Sequence, residues 1–263
     1  MKYKTRLQIL GIYDQELSSN LNFKFLNEIK SLKEFAIYKG QINYDLLFSI
    51  VEELTECSLL EGLALCYDNL LGYSLDKNEK FSFNMLKLAP RMKQFAFVIN
   101  GSYNYSMSEL FDTYLNFLLN CSQINYVNFD CRVNLKGTKA LLFSQFITNS
   151  NSLKSLEFCL DYYCNQEIVT SIFQNKRLRS VNLFIDDIEQ YYYEILDYII
   201  SNTELQELKL HPFKTDKNKI SDLINLASSL NFRIFCEGRR NPRGTCNIDL
   251  IKEALYEEEG KGS

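Results

Sequence analysis

Apolar residues recur along this chain in two alternating rhythms. In the first, a short run reads Leu-x-x-Leu-x-Leu, and its last two apolar positions are separated by a single residue, the period-two mark of a strand. In the second, apolar residues stand three and four apart, which is one face of a helix. The two rhythms are plainest between Gly137 and Leu183, where GTKALLFSQFITNSNSLKSLEF is followed by NQEIVTSIFQNKRLRSVNL on the same plan.

With the first residue of each short run numbered zero, the apolar triplets at zero, three and five repeat along the chain. They are Leu7/Leu10/Ile12, Leu32/Phe35/Ile37, Leu60/Leu63/Leu65, Met92/Phe95/Phe97, Ile124/Val127/Phe129, Leu153/Leu156/Phe158, Leu178/Val181/Leu183 and Leu205/Leu208/Leu210. A ninth, Phe232/Phe235/Glu237, is degenerate and reads as terminal. Successive starts lie 25 to 32 residues apart, with a mean of about 28. Nine and six residues before each start come the helix positions: Phe23 and Leu26, Val51 and Leu54, Phe83 and Leu86, Leu115 and Leu118, Val169 and Ile172, Leu196 and Ile199, Leu223 and Leu226. Phe143 and Ile147 keep the same role one residue out of phase.

A strand–helix unit of this size cannot bury its apolar face alone, so such units stack. Parallel strands stack ~4.8 Å apart, whereas packed helices need ~8–10 Å, so a stack of these units bends. The expected fold is therefore α/β: a right-handed solenoid, or horseshoe, of eight to nine strand–helix repeats with a parallel concave sheet and convex helices. Residues 1–238 would form the solenoid. Residues 239–263 would add a basic loop, a capping helix from Asn247 with Ile248, Ile251 and Leu255 inward, and a tail.

This pattern resembles the leucine-rich repeat proteins, in particular the ribonuclease-inhibitor-like subclass, over roughly residues 5 to 238. That family places Asn or Cys eight residues after the strand start. Here Asn100, Asp68, Asp161 and Asp186 approximate the pattern, while Gln15, Gly40, Arg132 and Phe213 depart from it, so irregular loops are expected. The resemblance implies an inhibitor or adaptor that binds a protein partner, or a regulator of a small GTPase; no residue matches a specific GTPase-directed position.

Composition narrows the function classes. The 263 residues carry a formal charge of −4, which provides no global field for nucleic acid or anionic membrane. No apolar run reaches the eighteen residues of a bilayer span, and the N-terminal stretch has no signal-peptide pattern, so cytoplasmic or nuclear residence is expected. The eight cysteines include no Cys-x-x-Cys pair and most occupy apolar repeat positions, as small hydrophobes do. The single histidine, His211, has no Cys or Ser framed to pair with it. Glycine-rich phosphate loops and metal-ligand spacings are lacking, and Asp186–Asp187 reads as a turn after a strand. The chain is expected to be non-enzymatic, without cofactor, metal or small-molecule substrate.

Candidate contact residues follow from the strand frame. Offsets two, four and six face away from the helices. Offset six holds Tyr13, Tyr38, Cys66, Val98, Asp130, Cys159, Phe184 and His211; offset four holds Gly11, Ala36, Ala64, Ala96, Asn128, Glu157, Asn182 and Lys209. Small residues in consecutive repeats beside Tyr and Val form an apolar trough, which is expected to bind a protein partner. The two longest repeats place their surplus at Leu70–Lys80 and Asn100–Ser108, and the second carries Tyr103 and Tyr105 toward the same rim. Arg239, Arg240 and Arg243 form a third candidate, an anion-binding loop for a phosphate or acidic peptide. Through it the alternative role, a subunit of a ribonucleoprotein or large assembly, would reach RNA.

Overall fold

The computed structural model describes residues 7–14, 23–99, 105–131, 137–160, 166–214, 216–230 and 233–236. Nine strands alternate with helices: β1 (Ile9–Asp14), β2 (Glu34–Asn43), β3 (Gly62–Leu71), β4 (Gln94–Ile99), β5 (Tyr126–Cys131), β6 (Ser155–Leu160), β7 (Ser180–Asp187), β8 (Glu207–Lys214) and β9 (Arg233–Cys236). Between them run α1 (Tyr44–Leu54), α2 (Leu75–Leu88), α3 (Tyr105–Leu119), α4 (Thr138–Asn149), α5 (Gln166–Gln174), α6 (Ile188–Ser201) and α7 (Lys217–Ser229), with a 3-10 turn, Lys24–Glu28, between β1 and β2. The strands form one parallel sheet in chain order, β1 through β9.

The predicted triplets are the register of this sheet. Leu10, Phe35, Leu63, Phe95, Val127, Leu156, Val181 and Leu208 form one unbroken row across β1 to β8, and the residues two further on form the next. Parallel strands paired in chain order, joined by crossovers of the right-handed kind that such connections take, carry their helices on one face. One core cluster accordingly unites these rows with the helix stripes, Val51 and Leu54 of α1, Leu115 and Leu118 of α3, and Val169 and Ile172 of α5 among them. Its middle is aromatic: Phe97 touches Tyr67, Tyr114 and Phe129, and Phe129 touches Phe111 and Phe143. Burying each such side chain contributes ~1.5–3 kcal/mol.

Helix boundaries have local causes. Asn43, Asp187 and Asp216 cap α1, α6 and α7, each side chain accepting from a backbone N–H of the first turn at 2.8–2.9 Å. Asp187 is thus a cap as well as a strand end. Gly137, before α4, has φ +57°, a conformation that side-chain-bearing residues avoid. At the other end, three residues before each zero position, a turn returns the chain to the sheet. Buried Asn175 and Asn202 occupy two of these turns and donate to the Ile147 and Leu178 carbonyls of the preceding repeat, at 2.7 and 2.8 Å. The Cys57 thiol makes the equivalent bond to Leu26 at 3.3 Å. Three turns thus carry a Cys or Asn three residues before the frame that bonds a carbonyl of the preceding repeat. Cys57, Cys66, Cys121, Cys159 and Cys236 are not joined to one another by disulfides.

Four expectations are corrected. The ninth strand sits one residue earlier than the triplet Phe232/Phe235/Glu237: Leu208 pairs with Ile234 and Leu210 with Cys236, which turns Phe235 outward. In α2, Phe83 is 59% exposed and lies under the Lys87 ammonium at 4.6 Å, while Phe81, Met85 and Leu88 face the core. The surplus residues of that repeat lengthen the helix and add the 3-10 turn Ala89–Arg91, which moves the apolar phase by two. The segment Leu70–Lys80 is consequently no free insertion, since its ends belong to β3 and α2. In α6 the stripe is centred on Ile195 and Tyr198, with Leu196 only half-buried.

Candidate functional site

The face of the sheet turned away from the helices carries the even offsets in three in-register rows. Among the described residues it carries a hydrophobic cluster built of strand residues alone: Ala64, Cys66, Ala96 and Val98, with Ala36 and Tyr38 against it. Because offset four is Ala on β2, β3 and β4, and offset two is Gly62 on β3, the surface sinks there. The depression encloses about 350 Å³, counting space open to solvent, between Ile9, Glu34, Gln94 and Tyr126. A Cβ at Gly62 would stand 3.0 Å from Glu34 Cγ, so a larger residue in this floor would push the Glu34 side chain aside. At the β1 end, the Tyr13 and Tyr38 rings stack at 4.7 Å and 7°.

From β5 onward the same rows are polar. Glu157, only 8% exposed, stands between Asn128 and Asn182 in the offset-four row. The Tyr126 hydroxyl donates to Glu157 Oε1 and Asn128 Nδ2 to Oε2, both at 3.2 Å. Burial raises the proton affinity of Glu157, and the charge of Asp130 raises it further; the hydrogen bonds from Tyr126 and Asn182 and the charge of Lys209 oppose this without cancelling it. Lys209 in turn pairs with Glu207 at 3.2 Å, and Glu207 lies 3.7 Å from the Arg233 guanidinium. Phe184 and His211 stack at 4.4 Å and 18°.

The candidate residues are thus dispersed. Tyr13 and Tyr38 are together, with Tyr13 60% exposed; Phe184 and His211 are together on β7 and β8, Phe184 five strands beyond Tyr38, ~24 Å at the usual strand spacing. Ala64, Cys66 and Val98 lie between them, buried among their neighbours, Val98 to 1% exposure, and form the floor of the open face there. Asp130 belongs with Glu157. Tyr105 opens α3; Tyr103, Arg239, Arg240 and Arg243 lie outside the described residues, as does the capping helix.

The strand frame missed the network of Glu157, Tyr126, Asn128 and Asn182. The signal was present: three successive repeats carry Asn, Glu and Asn at one offset between two core positions. Such a row, on a sheet in register, places a carboxylate between two amides. Among the described residues no group of three or more His, Cys, Asp or Glu is placed to hold a metal ion. No described helix is long and apolar enough to cross a membrane. No protein-family model matches the chain, and a search of curated proteins finds no match.

Proposed function

We propose that this chain is a leucine-rich-repeat-type solenoid that acts as a protein-interaction module, binding its partner on the open sheet face. The observation that carries this reading is the division of labour between the two faces. Odd offsets and the helix stripes are spent on one core, while the even offsets form an ordered lattice, nine strands wide, that the core does not use. In-register strands packed more closely than their helices favour a curved array, and curvature turns the open face into a concave wall. On that wall, stacked aromatic pairs and an apolar depression are features that concentrate binding energy.

Two measurements test the reading. Small-angle scattering should give an elongated, curved envelope; a spherical one sinks the solenoid. Affinity purification with quantitative mass spectrometry should recover partners that the paired change Tyr13→Ala and Tyr38→Ala depletes at least severalfold, while the circular dichroism of the variant matches the parent. An unchanged partner set would remove the open face from the proposal.

A further inference from the structure

The apolar depression ends where the open face becomes acidic. Tyr126 closes the depression with its ring and donates to Glu157 with its hydroxyl, so one side chain joins the two regions. Asp130, one strand back from Glu157 and one outward row further along, stands near enough for its charge to oppose ionisation of Glu157. Across β1 to β7 the outward rows contain three carboxylates, Glu34, Asp130 and Glu157, and neither Lys nor Arg. The first outward cation is Lys209 on β8, which is shared with Glu207. An apolar side chain over β3 and β4 and a cation over β5 and β6 would be ~10 Å apart, two strand spacings, a span of about three residues of extended chain.

We propose that the depression and the Glu157–Asp130 pair together bind a basic–apolar segment of a partner protein: an aliphatic or aromatic side chain over Ala64 and Ala96, beside Ala36, and a Lys or Arg two to four positions away at the two carboxylates. This deepens the interaction-module reading and rests on it. Apolar burial supplies affinity, and the carboxylates select the sign of the partner's charge. A cation placed there also relieves the repulsion between two neighbouring carboxylates on a partly desolvated face.

The test is selection of a phage-displayed random dodecapeptide library on the full chain, followed by fluorescence anisotropy of the selected peptides. The expected pool pairs an apolar residue with Lys or Arg at that spacing. Ala36→Trp, which fills the depression, should abolish binding; Gln94→Trp at the rim serves should the first variant melt early. Asp130→Asn should weaken the basic peptides by about five- to tenfold and leave their Lys→norleucine analogues unchanged. Selected peptides that lack Lys and Arg yet are lost on Ala36→Trp would overturn the charge assignment and leave the interaction module standing. Binding indifferent to Ala36→Trp, Gln94→Trp and Asp130→Asn would overturn both. Self-association of the chain that Ala36→Trp abolishes would show a second copy in the depression and likewise overturn the assignment.

Discussion

The two faces of the sheet are made from the same strands and obey different rules. On the helix side the two inward rows of β1 to β8 are apolar throughout, and neighbouring rings touch from Tyr67 through Phe97 and Phe129 to Phe143. On the open side side-chain size drops to Ala and Gly over β2 to β4, then polarity rises to a hydrogen-bonded carboxylate on β6. Burial therefore has two origins here. Helix-side residues are buried because another layer covers them. Ala64, Ala96 and Glu157 are buried because the side chains next to them on the lattice are larger or reach across them. The first kind of burial tolerates little change in volume, and the second is a matter of neighbours.

The largest expected effect lies on the helix side. Phe97→Ala empties the centre of the aromatic chain and should cost ~3–5 kcal/mol, read from urea denaturation. A loss below that of an exposed substitution would mean that the aromatic chain is not the core. Next comes the seam between repeats: Asn202→Ala removes the bond to the Leu178 carbonyl and leaves that oxygen buried and unpaired, at ~1–3 kcal/mol. On the open face, Tyr38→Ala removes the stack with Tyr13, worth ~0.5–1.5 kcal/mol beyond its buried area. Phe83→Ser should cost less than ~1 kcal/mol, because that ring is exposed and holds only Lys87. A large loss there would restore Phe83 to the core and refute the shifted phase of α2.

The finest comparison is one of trend. Glu157 binds its proton more tightly in the fold than its ordinary 4.5. Between the unfolded and folded values the native state holds more protons, so stability from this group increases as pH falls through that window and is lost as pH rises through the folded value. Thermal melts of the parent and of Glu157→Gln at pH 7 and pH 5 should show the parent gaining relative to the variant at the lower pH. A relative loss at pH 5 would mean that the carboxylate is stabilised, not strained, by its surroundings. Glu204, exposed between Lys154 and Arg179, shifts the opposite way and is common to both proteins, so it drops out of the difference.

Much of this architecture was legible in the residues themselves. Phe95 and Phe97, or Leu156 and Phe158, announce both strand and inward face, because side-chain direction alternates strictly and a slip of one residue would bring polar groups into the core. Helix stripes such as Val51 and Leu54 were legible for the same reason. Where the repeat length changed, the legibility ended. An extra 3-10 turn after α2 costs no periodicity signal, yet it exchanges Phe83 for Phe81 and Met85; in β9, Ile234 and Phe235 are equally apolar, and only pairing with Leu208 chooses between them.

The chain's own letters determined the order of elements, the frame of eight strands and the three outward rows, since each of these follows from a local period. Tertiary structure alone decided which outward residues are accessible, that Glu157 is a buried acceptor joined to Tyr126 and Asn128, and that the tyrosine pair and the Phe184–His211 pair stand apart. Exposure, proton affinity and distance are properties of neighbours brought together from repeats some thirty residues apart, and no local period encodes them.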